Sequence, residues 1–473
     1  MSDARRTRRQ AIDRAALDAA AELGRDFLES LPSRHVGPRA DAATLAGAIG
    51  GPLPAAGQDA AAVIRALAEA LDPGIVASAG PRYFGFVIGG ALPASLAADW
   101  LAAAWDQNAA LHALSPAAAA AEQVAGEWLL ELLGLPAEAG FGLPTGAGLG
   151  NAIGLAAARH ALLAREGWDV EARGLYGAPE IHVVIGEEAH ATLLTALQYL
   201  GLGRERVQRV ATDGQGRMRA DMLADVVGRL TGPTIVAAQA GNVNTGAFDP
   251  LEQIADVLAG HANAWLHVDG AFGLWANVSP RLRHLVAGVE RADSWATDAH
   301  KWLNVGYDCG FVAVRDGSAQ QAAMSGSAPY LLRSAAQREG WEWVLDSSRR
   351  ARGFALYAAL RSLGRDGVRE LVERCCDLAG RLADQLAAAP GIEVLNDVVL
   401  NQVLVRFTPQ PRGDADAHTR AVLARVQDGG IAWMGGTLWQ ARAAMRLSVS
   451  NWSTTEADID ATVAAILQAH AQG

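Results

Sequence analysis

The chain has 473 residues, 51% of them hydrophobic and 19% charged, enough to bury a sizeable core and to fill two or three domains. With 40 lysines and arginines against 51 acids its net charge is −11, which leaves no electrostatic reason to approach nucleic acid or an anionic membrane surface. Three cysteines, Cys309, Cys375 and Cys376, stand at no metal-ligand spacing and make no disulfide framework, so inert thiols in a reducing compartment are expected, and no metal.

In chain order, the basic start (Arg5, Arg6, Arg8, Arg9 and Arg14, interleaved with Asp3 and Asp13) is followed by no apolar run. It reads as a solvated helix face and not as a signal or transit peptide, which makes the cytoplasm the expected location. Residues 1–78 form an N-terminal helical, Ala-rich segment joined through SLPSRHVGPRA and GGPLPAAG. The apolar stretch 91–105 is broken by Pro93 and Asp99 and is too short to cross a bilayer, so no membrane partner is expected.

From residue 79 to 348 short apolar runs alternate with segments of helical period: IHVVI (181–185), TIVAAQ (234–239), WLHVD (265–269) and GFVAV (310–314). That alternation predicts an α/β fold, a large domain built on a mainly parallel sheet with helices on both faces. From 349 to 473 two long helical stretches precede strand-like IEVLN (392–396), NQVLVRF (401–407) and MRLSVSN (445–451), which predicts a smaller C-terminal α+β domain.

The chemistry concentrates between residues 265 and 310, where WLHVDGAFG is followed by DSWATDAHKWLNVGYDCG. An aspartate ending an apolar strand, then a lysine 32 residues later beside a histidine, suits pyridoxal 5′-phosphate. Lys301 would hold the aldehyde, and Asp269 would keep the pyridine nitrogen protonated so that the ring accepts electrons from a bond at Cα. Lysine is scarce here, and Lys301 stands out among arginines. On spacing alone, an exposed loop cation and a strand-end cap account for the same two residues about as well. GLPTGAGLGN (142–151) precedes a helical run and reads either as a backbone cradle for a phosphate or as an ordinary glycine-rich turn.

These segments, with PRYFGFV (81–87), WDQNAALHALSPAAAAAEQ (105–123), GEEAHATL (186–193), DGQGRM (213–218), GNVNTGAFDP (241–250), HVDGAFG (267–273), DAHKW (298–302) and RLSVSNWSTTEADID (446–460), resemble the group II pyridoxal-phosphate-dependent amino acid decarboxylases. That family includes the aromatic-L-amino-acid, histidine and glutamate decarboxylases and has the aspartate aminotransferase fold, with a seven-stranded sheet. The resemblance implies Lys301 as the cofactor lysine, Asp269 as the ring-nitrogen partner and His190 on the ring face. It places Thr145, Gly146, Ala147 and Gly148 around the phosphate, where relatives carry more hydroxyls, and Asp298, His300, Asn242 and Ala271 beside the cofactor. His300 is a second acid/base candidate.

For the substrate, a small amino acid, Tyr83, Phe84 and Phe86 match a pocket-lining segment, with Trp105 downstream; core packing is the competing reading. Arg446 is a candidate partner for a carboxylate, or a strand-edge surface charge. An aromatic side chain is slightly favoured over an acidic one. The resemblance implies a homodimer. It also implies a proton-donating tyrosine on a loop beyond the lysine, a place taken here by Gly340; Tyr330 matches a different tyrosine, and none lies between it and Tyr357. Relatives without that tyrosine include aldehyde-forming enzymes, so decarboxylation with oxidative deamination stays open. So do transamination, cleavage of another bond, and binding without turnover.

Overall fold

The computed structural model describes residues 14–326, 337–409, 411 and 413–472. The basic residues before Arg14, with Asp3 and Asp13, and also Tyr330, lie outside the described residues. Three helices open the chain, α1 (Arg14–Ser30), α2 (Ala42–Ile49) and α3 (Ala60–Leu71). The second and third start on Asp41 and Asp59, whose carboxylates accept from the backbone N–H groups of Thr44 and Ala62 that the helix itself leaves unpaired. Next come α4 (Pro93–Trp105) and α5 (Pro116–Leu132), each begun by a proline where a missing N–H costs nothing.

The central part runs β1 (Gly140–Gly142), α6 (Ala147–Arg165), α7 (Val170–Arg173), β2 (His182–Gly186), α8 (Ala191–Tyr199) and β3 (Gln208–Val210). It continues through α9 (Ala220–Val227), β4 (Thr234–Gln239), α10 (Leu251–Ala259), β5 (Ala264–Asp269), β6 (Ser294–Asp298), α11 (Ala299–Trp302), β7 (Gly310–Val314) and α12 (Gly317–Met324). The seven strands form one sheet in the order β1-β7-β6-β5-β4-β2-β3. The pairs from β3 through β2, β4 and β5 to β6 are parallel, and β7 runs antiparallel to both β6 and β1.

Side chains alternate across this sheet with the period of two that a pleated strand imposes. Val183, Ile185, Ile235, Ala237, Trp265, Val312 and Val314 face one apolar layer with α6 and α8. Val184, Val236, Ala238, Leu266, Val268, Phe311 and Ala313 face the other with α5 and α13 (Gly353–Ala387). Burial on both faces is what the continuous apolar runs required, and the α/β class with helices on both sides is what the chain adopts. β6 was not among the runs read from the sequence. Its segment SWATD is polar, yet all five residues are buried, because Ser294, Thr297 and Asp298 are hydrogen-bonded inside the fold.

α13 leads to an antiparallel sheet of β8 (Ile392–Val394), β9 (Gln402–Phe407), β10 (Gly435–Trp439) and β11 (Arg442–Ser448), ordered β10-β11-β9-β8. α14 (Ala415–Gly429) and α15 (Glu456–Ala471) accompany it. Within α13, Gly364 has φ 62° and ψ −179°, so the element is two helices meeting at a kink, as the two separate helical stretches of the sequence suggested. Residues 82–92 strap the two sheets together. Phe84 N–H donates to Trp433 O at 2.7 Å, Ser448 N–H to Phe84 O at 2.9 Å, and Leu92 N–H to Asn304 O at 2.8 Å, three residues past Lys301.

Candidate active site

β4, β5 and β6 end side by side, and the residues at their carboxyl ends, Gln239, Asp269 and Asp298, face a cavity of 270 Å³. Parallel strands joined by crossovers open a crevice at this edge. Lys301 reaches the cavity from α11, the single turn that follows β6. It is the only lysine in the chain. Its Nζ lies 3.0 Å from Asp298 Oδ2.

Asp298 holds several groups at once. Its Oδ1 accepts from the Ala147 N–H at 2.6 Å, the first residue of α6, and lies 3.4 Å from His300 Nε2. His300 Nδ1 accepts from the Cys309 N–H at 3.2 Å; an amide can only donate, so the ring proton sits on Nε2, facing Asp298. Burial lowers the imidazole pKa of His300 below its usual range. Thr145 and Gly146 make the bend into α6, and Gly148 lines the cavity in its first turn. A side chain at Gly310 would stand 2.6 Å from Gly146 Cα, so a glycine there lets β7 pass close behind this bend.

Asp269 is buried at the end of β5, with Oδ2 accepting from Asn151 Nδ2 at 3.0 Å and Oδ1 from the Ala271 N–H at 3.3 Å. Ala271 also lines the cavity. His190 caps α8: its Nδ1 accepts from the Thr192 N–H at 3.3 Å and pairs with Thr192 Oγ1 at 2.7 Å. The same argument puts its proton on Nε2. Its pKa is lowered, chiefly by burial and further by Lys301 and Arg446, while Asp269 opposes.

Four residues read from the sequence, Tyr83, Phe84, Asn242 and Trp105, do not line the cavity. Tyr83 is buried in a stack on Trp433, centroids 4.9 Å apart, and Phe84 is buried in the core; the cavity wall is instead Phe86, 56% exposed, and Val87. The strap places them there because Phe86 and Val87 both take left-handed backbone, φ 55° and 59°, which turns the chain outward and which an alternating pattern cannot anticipate. Asn242 is buried beside the cavity and holds a turn, accepting from the N–H groups of Asn244 and Thr245. Its neighbours Gly241 and Val243 are the lining residues.

Arg446 of β11 does reach the cavity. Its pKa is lowered by burial, and among the described residues it forms no ion pair, only a 3.5 Å contact with Asn244 Oδ1. Trp105 packs edge-on against Phe354, away from the site. Gly340 lies in a buried turn, where a Cβ would stand 2.3 Å from Ala109 O and 2.5 Å from Arg349 Nη1. No tyrosine ring fits there. Asn151, Thr192 and Gln239 were not singled out from the sequence, since nothing local marks a buried amide or a capping threonine as functional.

The donor set fits pyridoxal 5′-phosphate. An amine and a carboxylate face one cavity, and the helix N-terminus beside them already draws an anion, the Asp298 carboxylate, onto its first N–H. A scan against protein-family models matches residues 50–408 to the pyridoxal-dependent decarboxylase conserved domain. Tryptophan decarboxylase 1 of Oryza sativa subsp. japonica is 28% identical over 93% of this chain and 90% of its own. Acidic amino acid decarboxylase GADL1 of Xenopus tropicalis is 31% identical over 67% of this chain and 62% of its own. The crystal structure of Oryza sativa TDC with PLP and tryptamine superposes with a TM-score of 0.89 at 25% identity, covering 97% of each chain.

The chain belongs to the pyridoxal-dependent decarboxylase family. It is a carboxy-lyase acting on an amino acid, and its cofactor is pyridoxal 5′-phosphate.

Proposed function

We propose that the protein converts an aromatic L-amino acid to its amine and carbon dioxide, as a homodimer in the cytoplasm. The observation that carries this reading is the single cavity bounded by Lys301, Asp269, His190, Arg446 and Phe86. The match to a tryptophan decarboxylase along most of the chain favours the aromatic class, and three free cysteines suit a reducing compartment.

In this reading Lys301 binds the cofactor aldehyde and Asp269 pairs with the ring nitrogen. Thr145, Gly146, Ala147 and Gly148, with His300, hold the phosphate at the α6 N-terminus, and Asp298, in contact with both Lys301 and His300, orients the two. Asn242 and Ala271 shape the wall behind the ring. The bound cofactor supplies a sink for the electrons released at Cα. The protein supplies orientation. Arg446, a desolvated guanidinium without a carboxylate partner among the described residues, takes an anionic group of the substrate, and Phe86 and Val87 offer an apolar wall to its side chain. His190, neutral with its proton on Nε2, is placed to lend that proton within the cavity.

The crowding at Gly340 favours a second reading, in which molecular oxygen oxidises the decarboxylated product by two electrons, becoming hydrogen peroxide, and water then releases the aldehyde and ammonia. The test is to incubate cofactor-loaded protein with a panel of L-amino acids while following carbon dioxide, amine, ammonia and peroxide. Carbon dioxide with amine from an aromatic substrate is the expected result; carbon dioxide with ammonia and peroxide establishes the second reading. Because the chain has one lysine, borohydride should fix the cofactor to a single peptide containing Lys301, and Lys301→Ala should abolish both the adduct and the imine absorbance. An adduct elsewhere or an unchanged spectrum sinks the site assignment.

A further inference from the structure

Behind Asp269 lies a row of buried polar groups that the sheet itself does not need. Trp265 and His267 lie on β5, Ser294 on β6 and Asn151 on α6, and none is more than 1% exposed. Trp265 Nε1 is 2.8 Å from Ser294 Oγ, Ser294 Oγ is 2.8 Å from His267 Nδ1, and His267 Nε2 is 3.0 Å from Asn151 Oδ1. Asn151 Nδ2 then donates to Asp269 Oδ2 at 3.0 Å. Buried polar groups are costly, and four in succession between one strand end and one helix are not a packing accident.

The row has a direction. An indole N–H can only donate and an ionised carboxylate can only accept, so between these fixed ends the proton order is set. Trp265 donates to Ser294, the Ser294 hydroxyl to His267 Nδ1, the His267 Nε2–H to Asn151 Oδ1, and the Asn151 amide to Asp269. Burial pushes the His267 imidazole down to about 3, so it stays a neutral relay. α6 makes room for it: a Cβ at Gly154 would stand 2.8 Å from the imidazole and 3.2 Å from Ser294 Oγ.

We infer that Ser294, His267 and Asn151 are positioning residues, a one-way row of donors that ends on Asp269 and holds its carboxylate fixed at the cavity wall. Each bond polarises the next, and the last is charge-assisted. The inference rests on the proposed pairing of Asp269 with the cofactor ring nitrogen.

The first measurement uses the unmodified apoprotein. The ¹⁵N resonances of His267, assigned by their loss in His267→Asn, should show the proton on Nε2 and no titration between about pH 5 and 9. The second compares pyridoxal 5′-phosphate dissociation constants and bound-cofactor absorbance across variants that retain the native circular dichroism. Asn151→Ala should weaken binding about ten- to hundredfold, the range of a hydrogen bond to a charged group, and Ser294→Ala, which removes a bond to the neutral His267, roughly two- to tenfold, while Ser294→Thr, which keeps the hydroxyl, retains affinity. A proton on Nδ1, ordinary titration of His267, or wild-type affinity in Asn151→Ala overturns the relay. If Asp269→Asn also binds as wild type, the pairing of Asp269 with the ring is what has failed; if Asp269→Asn alone loses affinity, only the relay has.

Discussion

Gly146 and Gly148 look alike in the sequence and differ in what surrounds them. A Cβ at Gly146 would meet His300 Cε1 at 3.2 Å and Asp298 Oδ1 at 3.3 Å, whereas one at Gly148 would meet only Thr192 at 3.8 Å, an ordinary contact. Gly148→Ser should therefore fold, gain helix propensity and add a hydroxyl at the α6 N-terminus. Cofactor affinity should rise roughly two- to tenfold, read by absorbance titration, while Gly146→Ser should lose it. At this scale Lys301 and Asp269 could be singled out, Lys301 as a lone lysine among arginines and Asp269 as a charge ending an apolar strand, and the structure brings both to one cavity. The sequence did not mark Asn151 or Ser294, whose meaning comes from contacts 118 and 27 residues away. Nor could it separate Phe86 from Tyr83 and Phe84, since their directions follow from two left-handed residues and not from a period.

Among the elements, legibility followed length and polarity. β4 and β7 were read to the residue because six and five consecutive positions are buried on both faces, but β1 and β3 have three residues each, too few to establish any period. α13 offers a test with two signs. Gly364 occupies φ 62°, ψ −179°, a region essentially closed to side chains, so Gly364→Ala should cost about 1–3 kcal/mol in a urea titration. Gly380, in the same element with nothing within 4 Å of its missing Cβ, should behave oppositely: Gly380→Ala should stabilise by roughly 0.5–1 kcal/mol. Equal responses at the two positions would mean that the kink is not a feature of the folded chain.

For the whole molecule, the α/β class with a smaller α+β part after it was legible from the order of runs, whereas the antiparallel pairing of the second sheet and the surface were not. Trp100, Leu101 and Trp105 on α4 are 44%, 49% and 50% exposed, and a groove of 940 Å³ lies between α1 and α3, lined by Leu23, Phe27, Ile64 and Leu67. If the proposed homodimer forms through this surface, sedimentation should give a dimer and Leu101→Asp should shift it toward monomer. A wild-type monomer at micromolar concentration would count against the homodimer. The strap of residues 82–92 bears on all of this. It is clamped to Trp433 and Ser448 at one end and to Asn304 at the other, and between those anchors it supplies Phe86 and Val87 to the cavity. The same ten or so residues thus both tie the smaller sheet to the segment after Lys301 and form part of the cavity wall. Trp433, stacked on Tyr83 and 5.6 Å from Phe86 but absent from the cavity lining, is therefore a lever on the shape of that wall from outside it.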